Sequence, residues 1–168
     1  LTAGVRNTTR GTRSPKMNNK IEFLRLEDAR APEPLPLPAR MTPGSAGLDL
    51  RAALRGTARI APGERARIPT GFAVRIPAGF AGLVCPRSGA AFQYGLTVPN
   101  TPGIIDADYR GPLDVLLINL GRVPVKVNRG DRIAQMVIAR HEQAEWQEVE
   151  VLDDTERGAG GFGHTGKK

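Results

Sequence analysis

The chain has 168 residues and a mass of 18.0 kDa, enough to bury one core and too few for a two-domain enzyme. Apolar residues make up 40% and charged residues 24%, with a mean hydropathy of −0.29. This composition excludes a disordered chain, and no apolar run approaches the roughly 20 residues of a membrane-spanning helix. The net charge of +7 does not imply a stable nucleic-acid binder, because residues 1–20 hold five basic residues and no acid, which leaves +2 for the rest.

The opening stretch LTAGVRNTTRGTRSPK is polar and aperiodic. Residues 1–19 are expected to form a disordered basic leader, with phosphate attraction or targeting as the other readings. It lacks the apolar segment of a secretory signal, and Met17 just before the first patterned segment marks an extension outside the core. The sequence divides further into a catalytic body over 20–154 and a Gly-rich tail over 155–168. The single cysteine, Cys85, cannot form an intrachain disulfide, which suits a reducing cytoplasm.

In chain order, IEFLRL from Ile21 to Leu26 alternates with period two and runs into a four-proline extended arm, Ala31 to Arg40, so no helix is expected there. Strand-like segments follow at Leu48 to Ala53, Ala66 to Ile68, Gly71 to Ile76 and Gly79 to Val84. Others lie at Leu113 to Leu120, Pro124 to Val127, Ile133 to Ala139 and Trp146 to Leu152. The turn sequences APGE, IPAG, NTPG, NLGR and NRGD separate them. One helical turn is expected near Ser88 to Tyr94. Gly and Pro together supply a fifth of the chain, and this density of turn-formers predicts an all-β sandwich, jelly roll or barrel.

Five blocks combine glycine with charged or hydroxyl residues. In AGLDLRA, Asp49 is either an outward strand carboxylate or a carboxylate that holds a metal or its water. In PRSGAA, Arg87, Ser88 and the backbone N–H groups around Gly89 make a compact anion cradle, while Cys85 reads as a small buried hydrophobe. NTPGIIDADYRG places Asp106 after Ile104 and Ile105, apolar surroundings that suit a carboxylate to general-base work. Asp108 points the same way as Asp106 on an extended backbone and diverges in a turn, and Tyr109 offers a flat face to a sugar. In RGDRIAQMVI, Arg129 to Asp131 reads as a turn and Gln135 as an exposed strand residue. In the tail, Phe162 among glycines is what a segment closing over an aromatic ring needs.

Together, and in this order, the five blocks resemble the trimeric dUTPase family over Ile21 to Gly166, with GIIDADYRG, RGAGGFG and PRSGAA the specific part. The resemblance implies a jelly-roll-like β-barrel, a homotrimer with active sites between subunits, and hydrolysis of dUTP to dUMP and pyrophosphate with Mg²⁺. It further implies that Asp49 holds Mg²⁺ through water, that Arg87, Ser88, Gly89 and Gln135 receive phosphate oxygens, and that Asp106 activates the attacking water. Asn100, Gly103 and Ile105 would read uracil, Tyr109 would stack on deoxyribose, and Phe162 would cover the base. Arg157, Gly163, His164 and Thr165 would bind the triphosphate, with His164 standing where many members have Ser. Two other readings are a dUTP-binding regulator with little turnover and a dCTP deaminase. The deaminase needs a Glu on the strand after the hairpin, and Val115 to Leu120 contains no carboxylate.

Overall fold

The structure is a computed structural model that describes residues 20–30 and 32–161. The described residues form ten strands and two short helices. Strand β1 (Glu22–Arg25) is followed by α1 (Glu27–Arg30), β2 (Leu48–Arg51), β3 (Ala58–Ile60), β4 (Arg65–Arg75) and β5 (Phe80–Cys85). After them come α2 (Ser88–Tyr94), β6 (Leu96–Thr97), β7 (Gly103–Ile105), β8 (Pro112–Asn119), β9 (Val125–Val127) and β10 (Arg132–Arg140). All pairings are antiparallel and build two four-stranded sheets, β1-β4-β8-β6 and β2-β10-β5-β7, with β3 and β9 as a third pair. The fold is the expected all-β, jelly-roll-like one.

Alternation makes the two sheets face each other. In β8, Leu113, Val115, Leu117 and Asn119 point inward and are buried, while Leu116 faces out. Their partners in one core are Leu50, Ile60, Ile68, Ile76, Val127, Ile133 and Met136. Buried Asn119 satisfies its amide fully: Nδ2 donates to the carbonyls of Ile60 (2.9 Å) and Val123 (2.8 Å), and Oδ1 accepts from Gly121 N at 2.8 Å.

Three local expectations change. Ala66 to Ile68 and all of Gly71 to Ile76 but its last residue form one strand, β4, which bends where its register with β8 shifts between Pro69 and Ala73. Gly71 makes the bend with φ +76°, and a Cβ there would sit 2.4 Å from that of Ala29, so the site excludes a side chain. Ala29 belongs to α1, the single helical turn in a region read as helix-free. The third change is Trp146 to Leu152, which forms no strand: every residue from His141 to Ala159 is exposed. Its alternation is genuine, but a lone strand without a sheet edge leaves its backbone groups unpaired.

On the outer face of β8, Asp114 lies beside Arg67 at 3.3 Å. Burial pushes its carboxyl above the ordinary carboxylate value, Arg67 opposes the shift, and Asp28 adds to it. A raised native value means the folded chain resists ionisation more than the unfolded one. The resulting penalty is absent at pH below the unfolded value and complete above the native one. Asp114→Asn is therefore expected to raise Tm at about pH 8 and to give no gain at about pH 3, since Arg67 is too exposed for the lost ion pair to matter. Tm measured across that range checks it, and a variant less stable at high pH refutes it.

Candidate active site

The centre of the second sheet carries the first cluster. Asp49 on β2 pairs with Gln135 on β10, and Gln135 pairs on its other side with Cys85 at the end of β5. The chain then turns through Pro86 and Arg87 into α2. Arg87 is the N-cap of α2 with extended backbone (φ −94°, ψ 128°), and no side chain caps the helix, so the first-turn amides at exposed Ser88 and Gly89 have no capping partner from a side chain. Gln135 Nε2 donates to the Pro86 carbonyl at 3.0 Å and fixes this turn against the sheet. A Cβ on Gly47 would lie 2.3 Å from Gln135 Oε1, so glycine is what lets the segment before β2 close over that side chain.

Asp49 is nearly buried. Its Oδ1 is 3.4 Å from Arg87 Nε and its Oδ2 is 3.0 Å from Arg132 Nη1. Arg132 is a residue the sequence reading passed over. Arg132 and Gln135 are three apart, a spacing that sends strand side chains to opposite faces. The register irregularity between Arg132 and Ala134 resets that parity, and both reach one depression. Met41, Ser45, Gly47, Asp49, Arg87, Ser88, Gly89, Arg132 and Gln135 line it, with a volume of about 260 Å³. The signal available in the sequence was an arginine opening a strand directly after a Gly-Asp turn.

The second cluster is the hairpin after β6. Gly103 is buried, and the Asn100 amide lies 3.1 Å from where a Cβ on Gly103 would be. Asp106 directly follows β7, and its backbone carbonyl accepts Tyr109 N at 3.2 Å, closing a turn over 107–108. Tyr109 folds back so that its hydroxyl donates to the Pro112 carbonyl at 2.9 Å. Its ring occupies the space a side chain on Gly111 would fill. Arg110 Nη1 donates to the carbonyls of Ala107 and Tyr109 at 2.7 and 2.8 Å, bracing the loop.

The apolar shelter expected for Asp106 is not supplied by its own chain: Asp106 is exposed and Ile104 is 63% exposed. Nor does one chain bring Asp106 and the Arg87 turn together. Ile105 pairs with Gly82, three residues from Cys85, so it lies about 10 Å along the strand from the Asp49 and Gln135 row, with Asp106 farther still. Arg157 is exposed, and its Nε donates to Gly160 O at 2.9 Å within its own turn. Phe162, Gly163, His164 and Thr165 lie outside the described residues, as does the leader. Cys85 is half-buried and its thiol donates to the Leu83 carbonyl at 3.7 Å.

Among the described residues no three His, Cys, Asp or Glu side chains gather into a cation site, and no helix is long and apolar enough to cross a membrane. Asp49 is the one carboxylate lining the depression. A single carboxylate fits Mg²⁺ that arrives with most of its ligands, as a hard cation reluctant to dehydrate does on a polyphosphate.

An all-β fold here sets two guanidinium groups and the uncapped first turn of α2 around a small depression, an arrangement whose chemistry suits an anion. The dUTPase family model matches residues 33–166. A deoxyuridine 5'-triphosphate nucleotidohydrolase of Desulfotalea psychrophila (strain LSv54 / DSM 12343) is 57% identical over 150 residues, covering 89% of this chain and 99% of that relative. Among solved structures, Staphylococcus bacteriophage 80alpha dUTPase with dUPNHPP superposes with a TM-score of 0.77 at 29% identity, over 88% of this chain and 99% of that one. A mutant dUTPase from phage phi11 of S. aureus, described with a structural Mg(II) ion, gives 0.69 at 28% identity over 80% and 99%. The chain belongs to the dUTPase family.

Proposed function

We propose that this chain hydrolyses dUTP to dUMP and pyrophosphate, lowering dUTP and supplying dUMP. The observation that carries the reading is the grouping of Asp49, Arg87, Ser88, Arg132 and Gln135 around one depression, on a chain of this family. The water oxygen attacks the α-phosphorus, the bond to the bridging oxygen of the departing pyrophosphate breaks, and the water's proton passes to Asp106. Arg87, the amides at Ser88 and Gly89, and the Gln135 amide bind the phosphate oxygens, where charge accumulates. Asp49 would hold Mg²⁺ through water, and the metal would supply charge neutralisation on the triphosphate.

Uracil recognition falls to Asn100 and the backbone at Gly103 and Ile105, where a tight hairpin rejects the 5-methyl of thymine by contact. Tyr109, fixed through its hydroxyl, presents its ring to deoxyribose. From the tail, Arg157, Gly163, His164 and Thr165 complete the triphosphate site and Phe162 covers the base.

The active enzyme is a homotrimer in which hairpin, phosphate cradle and tail come from different copies. Supporting this are the separation of Asp106 from the Asp49 row and the exposed segment from His141 to Ala159, which shows Trp146, Val149, Val151 and Leu152 to solvent. Residues 20–154 form the catalytic body, 155–168 the closing tail and 1–19 a leader outside it. A cytoplasmic location fits the single cysteine.

Pyrophosphate release measured in parallel on dUTP, dTTP, dCTP and UTP tests the activity, with dUTP expected to be the preferred substrate. In the same assay Tyr109→Ala is expected to erode discrimination against UTP more than against dCTP. Equal losses on the two would move Tyr109 away from the sugar.

A further inference from the structure

The role of Asp49 in the unliganded site goes beyond contact with a metal's water. It holds Arg87 through Oδ1 at 3.4 Å and Arg132 through Oδ2 at 3.0 Å, while Arg87 Nη1 donates to the Arg132 carbonyl at 3.1 Å. Its side chain is 12% exposed, against 25% and 36% for the two arginines, so the carboxylate sits behind and the cations in front. Both arginines line the depression at Ser45 and Gly47, and both also line a larger groove of about 660 Å³ beside α2. One carboxylate thus holds two guanidinium groups at the wall of an anion-sized space. Carboxylate and phosphate oxygens are the two partners a guanidinium fork matches equally well.

We propose that Asp49 is an internal stand-in anion and Arg132 a second phosphate-binding arginine: an arriving polyphosphate takes both guanidinium groups from Asp49. The exchange involves ion pairs alone, with no covalent step. It rests on the proposed dUTP hydrolysis for its substrate, and it predicts something that hydrolysis does not require. The phosphate oxygens must displace the Asp49 carboxylate from both arginines, and the displaced Asp49 then needs a new cation in a nearly buried place. A metal-loaded triphosphate brings that cation and bare pyrophosphate does not. The site therefore favours the loaded substrate and holds the metal-free product weakly.

Binding of inorganic pyrophosphate in EDTA, followed by calorimetry on the full chain, tests this without turnover. Asp49→Asn frees both arginines and is expected to bind pyrophosphate at least about tenfold more tightly than the native protein. Adding Arg132→Ala to that variant is expected to abolish the gain. An Asp49→Asn protein with native Tm and unchanged or weaker pyrophosphate affinity overturns the stand-in role. A gain that survives loss of Arg132 overturns the assignment of Arg132. Should Asp49→Asn not fold, Asp49→Ser and Arg132→Lys serve the same comparison, with the lysine keeping charge but losing the fork and hence part of the affinity. Native protein that fails to hydrolyse dUTP yet shows the expected series would refute the hydrolysis reading and leave this one standing.

Discussion

Asp106→Asn is expected to lower kcat on dUTP by roughly 10²–10⁴ and to leave dUTP binding near native, the usual signature of a lost general base. The amide matches the carboxylate in size and cannot take the water's proton. Asp106 is exposed just past β7 and accepts Tyr109 N through its backbone carbonyl, a contact the substitution retains. Tm should therefore be unchanged, which separates a chemical loss from a structural one. Single-turnover hydrolysis, alongside the affinity for a non-hydrolysable dUTP analogue, checks both halves. Near-native turnover would remove Asp106 from the reaction, whereas weakened binding with intact turnover would make it a substrate contact.

A chain that ends at Thr155 is expected to lose dUTP hydrolysis with little change in Tm, because residues 156–159, the first it removes, are all exposed. Mixed with Asp106→Asn protein, unfolded and refolded together, it should regain activity that neither parent shows. If each site takes its hairpin and its tail from different copies, each donor is the intact one half the time, and about a quarter of sites are whole. If both come from one copy, every site keeps a lesion. Mixed trimers that form and stay inactive would rule out exchange.

The strand rhythm was legible because a half-buried sheet writes its period directly into the chain, as Leu113 to Asn119 does. Where the reading failed, something non-local had decided the outcome. Pro69 and Gly71 looked like a break between two strands, and the pairing of β4 with β8 carries one strand through a bulge instead. Ala58–Ile60 is too short to be seen without its partner β9. Trp146 to Leu152 alternates as a strand should, but no edge among the described residues receives it. At the site, PRSGAA was readable because its chemistry is contiguous. Arg132 was hidden, since only the bulge in β10 turns it toward Asp49. The exposure of Asp106 was equally out of reach: Ile104 and Ile105 are apolar in sequence, yet Ile104 faces solvent in a single chain.

Trp146 is the single tryptophan of the chain, and it stands fully in water on the arm that follows β10. All indole emission from this protein therefore originates at one position, free of any background from the core. A bare arm emits at the red wavelengths of hydrated indole and is open to acrylamide or iodide, while an arm laid against a neighbouring copy shifts to the blue and resists both quenchers. Dilution through the dissociation range thus turns an unlabelled cuvette measurement into a titration of assembly. Substrate added to that cuvette also reveals whether its binding is felt at residue 146.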